Sequence, residues 1–324
     1  MLRGVLMKRF KNILILYNQT VGDDAALDRA TSLARVNGAR LTLVEVVEKL
    51  PSFAAASIVS SVAEQRDLER RFFEERQSHL DRVVEPLRQE GIDVSVSIMR
   101  GRIFLEIVRL VLRDEFDLVV MTADSLRGLR SITFGSNSMH VMRKCPCPVW
   151  VMKPKAGRTF RRILAAVDPD LKEDAPPSPL DVKILEMASS MARMEACELD
   201  IVNAWDYAGP DLDTSRSEIT GEIKERLIEK NEAARHAALD RLMGRVDLQG
   251  AKFEVHLPQG DPSVLIPQMV SDREVDLIVM GTATRTGIAG FLIGTTAEDV
   301  LRQVDCSVLT VKPDGFISPV KLDS

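Results

Sequence analysis

The chain repeats itself, and this restricts its possible folds more than any other feature. Residues 117–121 read DLVVM and residues 276–280 read DLIVM, an offset of 159. At the same offset Arg100 and Gly101 fall on Gln259 and Gly260, and Phe134, Gly135 and Ser136 fall on Ile293, Gly294 and Thr295. CPVWVMKP (147–154) returns as CSVLTVKP (306–313), again 159 residues on. Near the starts of the copies, NILILYN (12–18) pairs with RILAAVD (162–168) at an offset of 150. Nine residues are therefore inserted in the second copy, and the segment 169–179 (PDLKEDAPPSP) has the proline-rich, polar chemistry of a loop. Self-similarity at a fixed offset marks one structural unit used twice. A length of 324 residues suits two domains of roughly 150, and the expected division is 1–154 and 155–324.

Each copy alternates short apolar runs with longer segments of 3.6-residue period. In the first copy the runs are 13–17, 41–47, 94–98, 118–122 and 149–152, each bounded by polar residues. Such runs read as strands buried on both faces, and Ile103, Ile107, Leu110 and Val111 mark one of the intervening helices. Asp261 followed by Pro262 is a helix start, with an acid at the N-cap and proline at the first helical position. The charge-laced stretches 67–90 and 218–245 read as helices with one solvated side. Strand alternating with helix implies parallel βαβ units, hence an α/β fold of two tandem, doubly wound, five-stranded parallel sheets.

Open sheets of this kind bind ligands beyond the C-terminal ends of their strands, where strand order reverses. With the reversal between the first and fourth strands of a copy, Asp168 lies beside the loop that follows Met280. That loop contains Gly281, Gly287, Gly290 and Gly294, and Gly294-Thr295-Thr296 opens a helix whose free N–H groups and dipole favour an anion. A ligand-free alternative is a capping box, in which Thr295 and Glu298 satisfy those groups. In the first copy Arg127 and Arg130 flank Gly128 in the corresponding loop, where they meet either an anion or solvent.

These residues resemble the tandem, two-domain members of the universal stress protein family along the whole chain, and with them the Rossmann-like, adenine nucleotide alpha hydrolase-like sheet. Nucleotide-binding members carry an Asp after the first strand and a G-x2-G-x9-G-(S/T) loop after the fourth. Asp168, Gly281, Gly294 and Thr295 match that pattern, whereas Thr284 stands at the second glycine. The resemblance implies ATP or AMP in the second copy, held by Asp168 and the Ala204 backbone at the adenosine end and by Gly281, Gly294, Thr295 and Thr296 at the phosphates. The first copy has drifted further. Asn18 replaces the Asp, Thr122 and Ser125 replace the first two glycines, and Gly135-Ser136 remains. The resemblance also implies that the last strands, 149–152 and 308–311, pair with each other to make a pseudo-dimer within one chain. An apolar edge strand invites such pairing. The charges agree in sign, with +4 on residues 1–154 and −9 on 155–324.

Several classes of function are disfavoured. Net charge −5, from 43 basic and 48 acidic residues, argues against nucleic-acid binding through positive charge. The apolar runs fall far short of the ~20 residues of a membrane-spanning helix. The basic N-terminus lacks a signal-peptide core, and Met7 offers an alternative start. Four cysteines form no disulfide framework, which suggests a cytoplasmic protein, and Cys145, Cys147 and His140 lack a second matched pair of metal ligands. No phosphate loop, dinucleotide fingerprint, zinc-protease helix or nucleophile elbow occurs. Nor does any of His79, His140, His236 or His256 have a carboxylate or serine partner at a telling spacing. The expectation is a non-enzymatic stress-response protein that binds nucleotide in its second half, with neither a metal site nor a catalytic residue. The alternatives are a nucleotide-free interaction scaffold and a slow ATPase.

Overall fold

The computed structural model describes residues 10–20, 22–48, 62–123, 134–153, 159–173, 175–206, 221–282 and 294–322. The chain divides into two compact units, one formed by residues 1–129, 134–156 and 317–324 and the other by 130–133 and 157–316.

The first unit contains β1 (Asn12–Leu16), α1 (Asp23–Asn37), β2 (Arg40–Val47), α2 (Val62–Gln89), β3 (Val94–Arg100), α3 (Ile103–Asp114), β4 (Leu118–Thr122), α4 (Ser136–Lys144) and β5 (Val149–Met152). Its strands are all parallel, in the order β3-β2-β1-β4-β5. The second unit repeats this with β6 (Arg162–Ala166), α5 (Pro179–Glu195), β7 (Glu198–Val202), α6 (Gly221–Met243), β8 (Lys252–His256), α7 (Pro262–Asp272), β9 (Leu277–Gly281), α8 (Thr295–Gln303) and β10 (Ser307–Val311). Its order is β8-β7-β6-β9-β10, again parallel. Strand order therefore reverses between the first and fourth strands of each unit, as the sequence predicts. The predicted strands are all present, shifted by at most two residues at their ends.

The continuous apolar runs become strands because both faces are covered: Ile13, Leu14 and Ile15 in β1 and Leu118 to Met121 in β4 are inaccessible to solvent. In α3, Ile103, Ile107, Leu110 and Val111 form the buried stripe, joined by Val108. The repeated Asp of DLVVM and DLIVM has a structural role. Asp117 accepts hydrogen bonds from the Lys11 N–H at 2.6 Å and the Asn12 N–H at 3.1 Å, and Asp276 accepts from the Arg161 and Arg162 N–H groups at the same two distances. Each carboxylate thus ties the fourth strand to the entry of the first and fixes their register. Burial pushes the Asp117 carboxyl up, opposed by these N–H groups.

The copies end their first helix differently. Gly38 ends α1 in the left-handed conformation at φ 61°, and the matching residue after α5 is Ala196 at φ 52°. A Cβ in that region costs roughly 1 kcal/mol.

Candidate functional site

β6 and β9 run side by side with Ala166 opposite Met280. Val167 and Asp168 emerge at the reversal point beside Gly281 and Thr282. A cleft of about 490 Å³ opens there, and Asp168, Ala204, Gly281, Gly294 and Thr296 all line it. Thr295 does not. It is exposed, the first residue of α8, and outside the lining. Thr284, Gly287, Gly290, Ser125, Arg127, Gly128 and Arg130 lie outside the described residues.

Local chemistry explains each placement. The Asp168 N–H donates to Asp181 Oδ1 at 3.0 Å, which anchors the end of β6 to the first turn of α5. A Cβ built on Gly281 would lie 3.0 Å from Leu180 Cδ2 and 3.4 Å from Ile184 Cδ1, so glycine lets α5 close on β9. Gly260, at φ +142°, passes 3.1 Å from Leu265 Cδ1 by the same measure and turns the chain directly into α7. The predicted cap is present, with Asp261 Oδ1 accepting from the Ser263 N–H at 2.8 Å and its hydroxyl at 2.7 Å. These bonds hold the Asp261 carboxyl below its ordinary range. Pro262 and Ile266 of α7 then form part of the cleft wall.

The capping box is not formed. Gly294 is the N-cap of α8 and makes no side-chain cap bond, so Thr295 is one position too late. Glu298 instead accepts from Arg302 Nη2 at 2.7 Å, one turn on. Among the described residues no side chain caps α8, and its first N–H groups, at Thr296 and Ala297, border the cleft. An unsatisfied helix N-terminus is a natural anion site.

Sequence reasoning missed the opposite end. Asn203 Nδ2 donates to the Val167 carbonyl at 3.0 Å, and Arg235 Nη1 donates to Asn203 Oδ1 at 3.0 Å. The Arg235 guanidinium lies 4.9 Å from the ring centroid of Trp205, and both residues line the cleft. The repeat contained a signal for this. Arg76 of α2 lies 159 positions earlier and pairs at 2.5 Å with Glu45, the β2 counterpart of Asn203. Burial raises the Glu45 carboxyl, with Arg76 opposing. The second half keeps the arginine and exchanges its buried carboxylate for a neutral amide.

In the first unit, a side chain bonds the equivalent peptide. The bonds Tyr17 N–H to Val44 C=O (2.8 Å) and Val167 N–H to Val202 C=O (3.0 Å) align Val46 with Ala204 and Asn18 with Asp168. Asn18 Oδ1 accepts from the Val46 N–H at 3.1 Å, while its Nδ2 donates to the Val46 carbonyl at 3.4 Å. Thr122 stands at the place of Gly281.

His256 overturns the expectation that no histidine has a carboxylate partner. Its Nε2 is 3.1 Å from Oδ1 of Asp200, which lies on the neighbouring strand and 56 residues away. Asp200 also accepts from Arg273 at 2.8 and 3.0 Å and from Arg162 at 3.2 Å. Glu254 lies close enough to Asp200 and His256 to suggest a metal cluster, but the two guanidinium groups already provide the positive charge, and the arrangement is an ion-pair network. Cys145 and Cys147 are buried free thiols with sulfurs 3.4 Å apart. Burial pushes the Cys147 thiol up.

The chain belongs to the universal stress protein family, whose profile matches twice, over residues 9–153 and 159–312. Among relatives, it is 24% identical over 318 residues to universal stress protein E of Photorhabdus laumondii subsp. laumondii, covering 97% of this chain and 99% of that one. It is 24% identical over 320 residues to universal stress protein E of Escherichia coli K12, covering 98% of each. Two solved structures share the fold. A functionally unknown protein from Pseudomonas aeruginosa PAO1 gives a TM-score of 0.70 at 24% identity, over 96% of this chain and 95% of that one. A universal stress protein from Archaeoglobus fulgidus gives 0.59 at 19%, over 93% and 98%. No helix among the described residues is long and apolar enough to cross a membrane.

Proposed function

We propose that this universal stress protein binds one adenine nucleotide, ATP or AMP, in its second half, and that it does so as a binding protein rather than an enzyme. The observation that carries this reading is the cleft at the reversal point, where Asp168, Ala204 and Gly281 meet the start of α8, which no side chain among the described residues caps. A nucleotide has the matching polarity. Its phosphates suit the N–H groups at Thr296 and Ala297, and its base and ribose suit Ala204, Trp205 and Asp168. No histidine lies among the cleft residues, and of its three carboxylates, Asp168, Asp181 and Asp206, Asp181 is engaged by the Asp168 N–H.

Trp205 allows a direct test, because Trp150 is the only other tryptophan and lies fully buried in β5. In the Trp150→Phe protein, titration with ATP or AMP is expected to change Trp205 fluorescence saturably below millimolar nucleotide. A flat titration, with no bound nucleotide in calorimetry, favours the nucleotide-free scaffold that Thr284 suggests.

The reading extends to the pairing of the two halves through β5 and β10 as a pseudo-dimer. It is supported by their apolar sequences, and β5 pairs with β4 and β10 with β9 on the inner side of each five-strand order. Cross-linking mapped by mass spectrometry is expected to join residues flanking these strands, and a map that separates them overturns the pairing. A cytoplasmic location agrees with the four free thiols.

A further inference from the structure

We propose that two copies of this chain associate through the outer edge of β8, strand against strand and antiparallel, about a two-fold axis at Phe253. β8 ends the strand order of the second unit, with β7 as its neighbour. The His256 carbonyl accepts from the Asn203 N–H on the β7 side. Main-chain groups alternate in direction along a strand, so Lys252, Glu254 and His256 direct theirs to β7, whereas Phe253 and Val255 direct theirs outward. The side chains of these two residues are also uncovered. Phe253 is 41% and Val255 36% exposed, although Leu199 and Ile201, beside them on β7, are fully buried.

The first half shows how this edge is protected elsewhere. Val94, 159 positions before Phe253, is buried. There α2 runs to Gln89, packs along β3, and places Arg88 Nε 3.3 Å from the Val94 carbonyl, to which it donates. In the second half α6 ends at Met243, well before β8, and among the described residues its packing is against α5. Asp247 stands at the place of Arg88, and a carboxylate has no proton to give the Phe253 carbonyl. Its own oxygens are engaged by the Gln249 N–H and Arg193. The second half thus keeps the edge and lacks its cover.

The charges along β8 select a second copy as the occupant. With the axis at Phe253, the two Phe253 residues oppose each other as a hydrogen-bonded pair. Lys252 of each copy then opposes Glu254 of the other in a non-hydrogen-bonded pair, where side chains come closest. Within one copy Lys252 bonds Glu198, and Glu254 bonds Arg273. The contact therefore continues a ladder of alternating charge from one copy into the next. An axis at Glu254 sets two carboxylates against each other, and an axis at Val255 sets Lys252 against Pro258. Only the Phe253 axis makes the edge self-complementary, as a two-fold contact requires. The strands are short, so the interface belongs to the small, transient class.

Sedimentation velocity of the full chain, from micromolar to millimolar concentration, tests this. The parent is expected to dimerise, and Phe253→Lys to raise the dissociation constant roughly a hundredfold by removing an aromatic anchor from each side of the axis. Lys252→Glu and Glu254→Lys each bring like charges together and are expected to weaken the dimer about tenfold. Mixed in equal amounts, these two variants are expected to regain the parent's affinity as a heterodimer, since each supplies the charge the other lacks. Both side chains are largely exposed, at 80% and 65%, which favours folding of both variants. A parent that stays monomeric at millimolar concentration overturns the proposal. So does a dimer that Phe253→Lys leaves intact, because association then uses another surface. Single variants that remain dimeric, or that fail to recover on mixing, overturn the axis at Phe253 and the proposal with it.

Discussion

Asp200→Asn is expected to destabilise the second half by about 3 kcal/mol or more at neutral pH, the largest stability effect of any single polar substitution considered. The carboxylate has only 1% of its side chain exposed, and it is contacted by Arg273, His256 and Arg162. A neutral amide of equal size keeps the packing but leaves two guanidinium groups facing a site without its central charge. Glu198 and Glu254, which pair with Arg162 and Arg273, are 37% and 65% exposed and cannot replace a buried counter-charge. The pH dependence follows from the same contacts. Burial raises the Asp200 carboxyl, but Arg273, His256 and Arg162 outweigh it and hold the group below its usual range. A carboxylate depressed in the folded state contributes stability that is fully present above its unfolded pKa, about 3.9, and is lost as pH falls through the folded value. Urea unfolding followed by Trp205 fluorescence is therefore expected to show a lower midpoint for the variant at pH 7, and a shallower further loss below pH 4. Equal midpoints at pH 7 would show that the network contributes no net stability.

That network also shows where sequence reasoning stops. The apolar runs and the repeat identify strands to within two residues, because burial on both faces of a parallel sheet leaves a continuous hydrophobic signature. They also identify which loop follows which strand, and this brings Asp168, Gly281 and Gly294 to one place. Contacts set by register between strands leave no such pattern. Asp200 and His256 are 56 residues apart, and Asn18 reaches Val46 across 28. Thr295 illustrates a different limit. The spacing from Thr295 to Glu298 satisfies the capping-box rule, but α8 begins one residue earlier, and a one-residue shift converts a cap into the first helical residue. The Glu45–Arg76 and Asn203–Arg235 pairs lie between these cases, since aligning the copies places them together even though neither copy alone singles them out. The comparison between halves is thus more informative than either half: the same backbone frame holds a self-satisfied amide at Asn18 in one copy and an acceptor-only carboxylate at Asp168 in the other.

Thr296→Asp separates helix chemistry from ligand chemistry at the anion end of the cleft. A carboxylate in the first turn of α8 interacts favourably with the helix dipole and the free N–H groups, so thermal unfolding is expected to show an unchanged or slightly more stable second half, by up to ~1 kcal/mol. The same charge sits where the proposed phosphates lie, since Thr296 borders the cleft with Gly294 and Ala297. Two unit charges about 4 Å apart repel by about 4 kcal/mol at the effective dielectric of a protein surface, so ATP affinity is expected to fall about a thousandfold. Adenosine has no charge to repel and is expected to bind the variant and the parent equally. Thr296→Asn is the neutral control and is expected to keep ATP affinity within a few-fold of the parent. Calorimetric titration of the three proteins with ATP and adenosine gives the discriminating pattern. If ATP and adenosine weaken together, the phosphates do not lie at α8. If neither changes, the cleft is not where the nucleotide binds. Only a selective loss of ATP, with the helix intact, assigns the open N-terminus of α8 to the phosphates, because stability and affinity then move in opposite directions from one substitution.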